Sequence, residues 1–232
     1  MSTTFRNHVD AASLDMSASS VSKLREELLR RRDVDQEARA AVRRGEPDAL
    51  ARTMRVDNEN AVWLGEVLEV FGWPVRSMVG DEGAHAAWML AQHADRDPVL
   101  QRRCLALLKE AVAAGDAAPW HLAYLTDRVL LARGEQQIYG TQITARDGRL
   151  VPSRLRDAET VNERRASVGL EGLDNYLNEM LDRYGPPSPV PVICPNCRAI
   201  MDAWLPEPGG QLTVECGSCH RSFTLYPLLP RI

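Results

Sequence analysis

Two cysteine pairs toward the C-terminal end restrict what this chain can fold into more than any other feature. Cys194-Pro195-Asn196-Cys197 and Cys216-Gly217-Ser218-Cys219 are both CxxC, with 18 residues between them. A CxxC turn sets two sulfurs on one side of a tight loop, and two such knuckles close a tetrahedron around a metal ion. The expectation is a structural Zn2+ held by Cys194, Cys197, Cys216 and Cys219. Four thiolates fill the shell and leave no position for a reacting water, so His220 reads as flanking. Disulfides do not suit a cytoplasmic chain, and a redox CxxC usually stands alone beside a βαβ unit. Gly209-Gly210 can turn one strand into the next, and residues 211–215 and 222–225 read as strands. Residues 192–232 therefore predict a small β zinc ribbon, with Trp204, Phe223 and Tyr226 as its core. A module of about forty residues cannot hold itself together by burial alone, so metal binding is folding here.

Charge decides what such a ribbon would touch. Arg198, Arg221 and Arg231 stand against Asp202, Glu207 and Glu215. A balanced module is a poor phosphate binder, so a protein partner is expected through the ribbon and nucleic acid is not.

Upstream, Pro186, Pro187, Pro189 and Pro191 make residues 186–191 an extended spacer. Residues 21–185 carry helical periodicity through most of their length. Val21, Leu24, Leu28, Leu29 and Val34 recur at three- and four-residue spacing before Gly45. Asp57 reads as the N-cap of a second helix that Gly72 and Pro74 end. A third helix covers about 80–94. Asp97 and Pro98 open a fourth that stops at Gly115, and Pro119 opens a fifth that stops at Gly134. The period then changes. Residues 137–146 and 149–155 flank Asp147-Gly148, a hairpin signal. Helical pattern returns over 157–167 and 171–184. The predicted class is mainly α: a multi-helix domain with a small β-hairpin near 137–155, followed by the ribbon. Residues 1–20, rich in Ser, Thr and Ala, read as a disordered tail.

Composition excludes several classes. The 232 residues are 44% hydrophobic and 26% charged, with a net charge of -4, as in soluble globular proteins. No run of eighteen apolar residues exists, so no membrane span is expected. Residues 1–22 lack a secretory pattern, which predicts a cytoplasmic location. Lys23 and Lys109 are the only lysines among 28 basic residues, a bias typical of high-GC bacterial genomes.

Polar residues at apolar positions mark the candidate site. On the third helix His85, Trp88, Met89, Gln92 and Arg96 share one sector with His93 at its border, and alanines and leucines cover the rest. Such a helix is buried, so His85, Gln92 and His93 should face protein. On the fifth, Trp120, Tyr124 and Asp127 share a face, with His121 and Arg128 beside it. Buried Asp127 and Arg128 need partners, for which Arg39, Arg165 and Asp35 are candidates. Gln137 and Tyr139 point to one side of a strand, and a kink at Gly140 brings Gln142 near. Cys104, among leucines, should be an inert core thiol. No Gly-rich phosphate loop, GxSxG or HExxH motif is present.

These groups build either a structural network or a pocket. As a binding protein, the chain would hold a small polar ligand with Gln92, Tyr124, Gln137, Tyr139, Gln142 and Arg165. As a hydrolase or transferase, it would use His93 as general base, Asp127 as its orienter and Arg128 as anion holder.

One set of residues carries a resemblance. It comprises Asp35-Gln36 with Arg39, Asp57 with Asn60, Gly72-Trp73-Pro74, Gln92-His93-Ala94-Asp95, Asp127-Arg128, Gln137 with Tyr139 to Gln142, and Arg164-Arg165 before Val168-Gly169-Leu170. Together they resemble a bacterial domain family of unknown function over about residues 30–184. The resemblance implies a shared polar site in the helical domain and no particular activity. The ribbon lies outside it.

Overall fold

The computed structural model describes residues 17–146, 148–187, 189–204 and 211–225. Most of the expected tail, Asp147 of the hairpin turn, the Gly209-Gly210 turn and Tyr226 lie outside the described residues.

Among the described residues seven α-helices dominate: α1 Ala18–Arg43, α2 Ala49–Val70, α3 Arg76–His93, α4 Pro98–Ala113, α5 Pro119–Ala132, α6 Val161–Ser167 and α7 Leu173–Tyr184. None is long and apolar enough to cross a membrane. Their ends follow local chemistry. Ser17 caps α1 by accepting from the Ser20 N–H, so residues 17–20 belong to this helix rather than to a tail. Asp97 caps α4 through the Leu100 N–H, and Pro98 occupies the first turn, where its missing N–H costs nothing. Pro119 does the same for α5. Asp57 corrects one expectation: it caps nothing and sits inside α2, which begins at Ala49.

α3 is the hub of the core. Ala86, Ala87 and Ala91 are fully buried on it, and small side chains let neighbouring helices approach closely. Leu24 and Leu28 of α1, Leu64, Val67 and Leu68 of α2, Leu100 and Leu108 of α4, and Leu125 and Val129 of α5 join it in one cluster. Cys104 is completely buried there, and burial pushes its thiol up to about 12.

The hairpin is shorter than the sequence pattern suggests. Strands β1 Ile143–Arg146 and β2 Arg149–Pro152 pair antiparallel, with Ile143 opposite Pro152. Residues 137–142 form a loop, joined to Leu155 by a single bridge from Gln137.

Toward the C-terminus come two further antiparallel hairpins. β3 Val190–Ile193 pairs with β4 Ile200–Ala203, and β5 Leu212–Glu215 pairs with β6 Ser222–Leu225. β3 begins inside the proline segment, so Val190 and Pro191 belong to a strand rather than to a spacer. Each CxxC occupies the turn of one hairpin. Trp204 was expected in the ribbon's own core. Its ring edge stands 3.8 Å from where a β-carbon on Gly148 of the β1–β2 turn would lie.

Candidate functional site

The four sulfurs meet. Cys194 Sγ lies 3.7 Å from Cys219 Sγ, and Cys197 Sγ lies 3.6 Å from Cys216 Sγ. All four lie within 4.8 Å of one another, close enough to hold one metal ion. A tetrahedron with bonds of about 2.3 Å has edges of about 3.8 Å, so the two short separations fit. Each knuckle also prepares its first thiol. The backbone N–H of Cys197 draws the Cys194 thiol down to about 6, helped by that of Asn196. The N–H of Cys219 and then that of Ser218 lower Cys216. Among the described residues the cysteines form no disulfide.

In the helical domain a cavity of about 430 Å³ opens between α3, α5, α7 and the start of β1. Of the candidates, Gln92, His93, Tyr124, Arg128 and Gln142 line it. Trp88 and Trp120 meet edge to face at 4.9 Å, and Tyr124 and Tyr176 continue the aromatic wall at 6.3 Å.

Asp127, Gln137, Tyr139 and Arg165 are not on that wall; the structure gives them other work. The Asp127 carboxylate is fully buried and accepts from the N–H groups of Ile138 (2.7 Å), Tyr139 (3.0 Å) and Thr141 (3.0 Å). The Thr141 hydroxyl donates to it as well, at 3.0 Å. Burial raises its pKa, and those backbone donors oppose the rise. It therefore orients a loop, not His93. Gln137 closes the same loop, donating to the carbonyls of Gln142 and Ser153 and accepting from the Gln142 N–H. Arg164 donates to the Ile138 carbonyl at 2.8 Å and Arg165 to the Tyr139 carbonyl at 2.9 Å. Arg165 was expected to meet a carboxylate; it meets carbonyls, and its guanidinium lies 4.9 Å over the Tyr176 ring. It borders a neighbouring concavity behind Tyr124 and Tyr176. The Tyr176 hydroxyl completes the set on the Thr141 carbonyl at 2.8 Å.

His93 has a different carboxylate partner. Its Nδ1 lies 2.8 Å from Asp35 Oδ1, across 58 residues of sequence. Arg39 Nε lies 3.1 Å from the same nitrogen. One ring nitrogen cannot both donate and accept. The shorter contact assigns the Nδ1 proton to Asp35, and Arg39 serves Asp35 and Asp57, the latter at 2.6 Å. Nε2 is then the basic nitrogen. Burial lowers the pKa of His93, against the pull of Asp35. Burial likewise raises Asp57 to about 6, opposed by Arg39. Asp35, Asp57 and His93 offer ligand atoms within 4.8 Å, but Arg39 already supplies the positive charge among them.

Arg128 pairs with Asp95 at 2.8 Å, not with the expected Arg39, Arg165 or Asp35 set. Asp95 is steadied by Gln101, which also donates to the Ala91 and Gln92 carbonyls at the end of α3. Sequence reasoning missed Gln101; its one signal is an amide amid the apolar positions of α4. A second histidine pair was missed too. His85 Nδ1 lies 3.2 Å from His121 Nε2, and burial drives His121 down to about 3.

In comparison with known proteins, the profile of a family of unknown function, DUF6624, fits residues 22–187. No curated protein and no solved structure matches the chain. The four cysteines lie beyond the matched residues.

Proposed function

We propose, for a chain that belongs to the DUF6624 family of unknown function, that the helical domain is a binding domain for a small polar molecule. The observation that carries this reading is a pair of buried amides. Gln92 and Gln142, each 4% exposed, line the 430 Å³ cavity, and Gln92 Nε2 and Gln142 Oε1 have no hydrogen-bond partner. A buried polar atom without a partner costs roughly 1–3 kcal/mol, a cost that a ligand meeting those atoms removes. The appended four-cysteine module is proposed to be a structural zinc ribbon that docks a protein partner. Its sulfur set suits Zn2+, and the ion would fix the two hairpins to each other.

Native mass spectrometry of protein purified from cells tests the binding reading. A small molecule should be released on unfolding and be absent from Gln92→Leu/Gln142→Leu. Equal release from the native chain and this variant would overturn it.

The Asp35–His93 pair supports a second reading, a hydrolase or transferase with His93 Nε2 as general base. Asp35 holds the ring in the tautomer that this role needs, and His93 lies on the cavity wall. Arg128 would face an anionic group. In that case the native protein releases a chemically altered molecule and His93→Gln releases it intact.

A further inference from the structure

The cavity wall is polar, but its charges are already balanced. Arg128 faces Asp95 at 2.8 Å, and Arg183 faces Glu179 at 2.5 Å. His93 leans on Asp35, while burial disfavours the cationic forms of His85 and His121. A charged ligand would meet no unmatched opposite charge among these groups.

What the two buried amides offer is one donor and one acceptor. The direction of Gln142 is fixed by a relay. The Thr141 hydroxyl spends its proton on Asp127, so its oxygen accepts from Gln142 Nε2 at 3.2 Å. Gln142 Oε1 is thereby left as a bare acceptor, and Gln92 Nε2 is a bare N–H donor. Around them stand flat rings, with Trp88, Trp120 and Tyr124 meeting edge to face at 4.9 to 6.0 Å. A sugar would bring more hydroxyl groups than two bare amide atoms can satisfy. A flat ring with one acceptor and one donor on its edge matches both amides and stacks on the aromatics.

We propose that the cavity binds a neutral planar heterocycle with an amide-type edge, of the nucleobase or nicotinamide kind, and that Gln92 and Gln142 read that edge. This rests on the binding reading above. The free base and the nucleoside share this chemistry; a nucleotide adds a phosphate that the wall does not call for.

Quenching of tryptophan fluorescence on the full-length protein tests it, with uracil, uridine, adenosine and nicotinamide as probes and uridine monophosphate and glucose as controls. At least one neutral heterocycle should saturate with a Kd below about 1 mM. Uracil against uridine separates base from nucleoside. Gln92→Met and Gln142→Met should each weaken binding tenfold or more, with melting temperatures unchanged or raised. A purely structural amide would instead lower the melting temperature when replaced. Three results would overturn the proposal: no saturation by any heterocycle, unchanged binding in both variants, or tighter binding of the phosphate than of its nucleoside. If glucose or a co-purified molecule of other chemistry binds in an amide-dependent way, the ligand class falls while the binding reading stands. If nothing binds and nothing co-purifies, both fall.

Discussion

A carboxylate with no cation beside it is costly to bury, and Asp127 is held by three backbone N–H groups and a hydroxyl instead. Removing it strands donors that water reaches poorly. Asp127→Ala should lower unfolding free energy by about 3 kcal/mol in a denaturant titration, and a change under about 1 kcal/mol would contradict this account. His121 supplies a pH dependence. Its folded value, about 3, lies below its ordinary 6.5, because burial disfavours the cation. A depressed histidine costs nothing above pH 6.5 and withdraws stability as pH falls from there toward 3. By pH 4.5 the loss approaches about 3 kcal/mol. Asp57 runs the other way: raised to about 6, it withdraws stability as pH climbs from about 4 through 6. The difference between native protein and His121→Phe isolates the histidine, and the variant should show the shallower acid limb. In sequence, Asp127 and Arg128 stand out as charges in an apolar helix. Their partners do not, because backbone N–H groups and a carboxylate such as Asp95, 33 residues from Arg128, become neighbours only through packing.

The elements divide in the same way. Helix ends are written locally, as with Asp97-Pro98 and Pro119, so α4 and α5 fall where the pattern puts them. Asp57 misleads because aspartate serves equally as a cap and as an ion-pair partner, and only Arg39 on α1 decides which. Residues 137–142 alternate like a strand, yet Asp127, Gln137, Arg164, Arg165 and Tyr176 take their backbone groups out of any ladder. Gly140 makes that loop possible. Its φ is +68°, and a β-carbon there would lie 3.2 Å from Leu173 Cδ1. Gly140→Ala should cost about 1–2 kcal/mol through backbone strain alone. It should also disturb Gln142 two residues on, seen as chemical-shift changes around the cavity larger than those in the β1–β2 hairpin.

At the scale of the molecule, helical domain and metal module are expected to part on chelation. Purified protein should carry one zinc per chain. Cys194→Ser/Cys216→Ser should lose it while the helical melting transition stays within a few degrees of native. Zinc retained by that double variant would remove the four-sulfur site. The cysteine spacing is legible in sequence because a metal shell needs only four atoms at two tight turns, whereas the cavity needs α3, α5 and α7 brought together by packing. Six peptide steps join Tyr184, on the cavity wall, to Val190, the first residue of β3. Fully extended they reach about 20 Å. If the ribbon docks a partner as proposed, a separation that short would give the partner a millimolar effective concentration at the cavity. A macromolecule bearing the ligand on a flexible arm would be engaged at both points, and its dwell time would exceed what either contact provides alone.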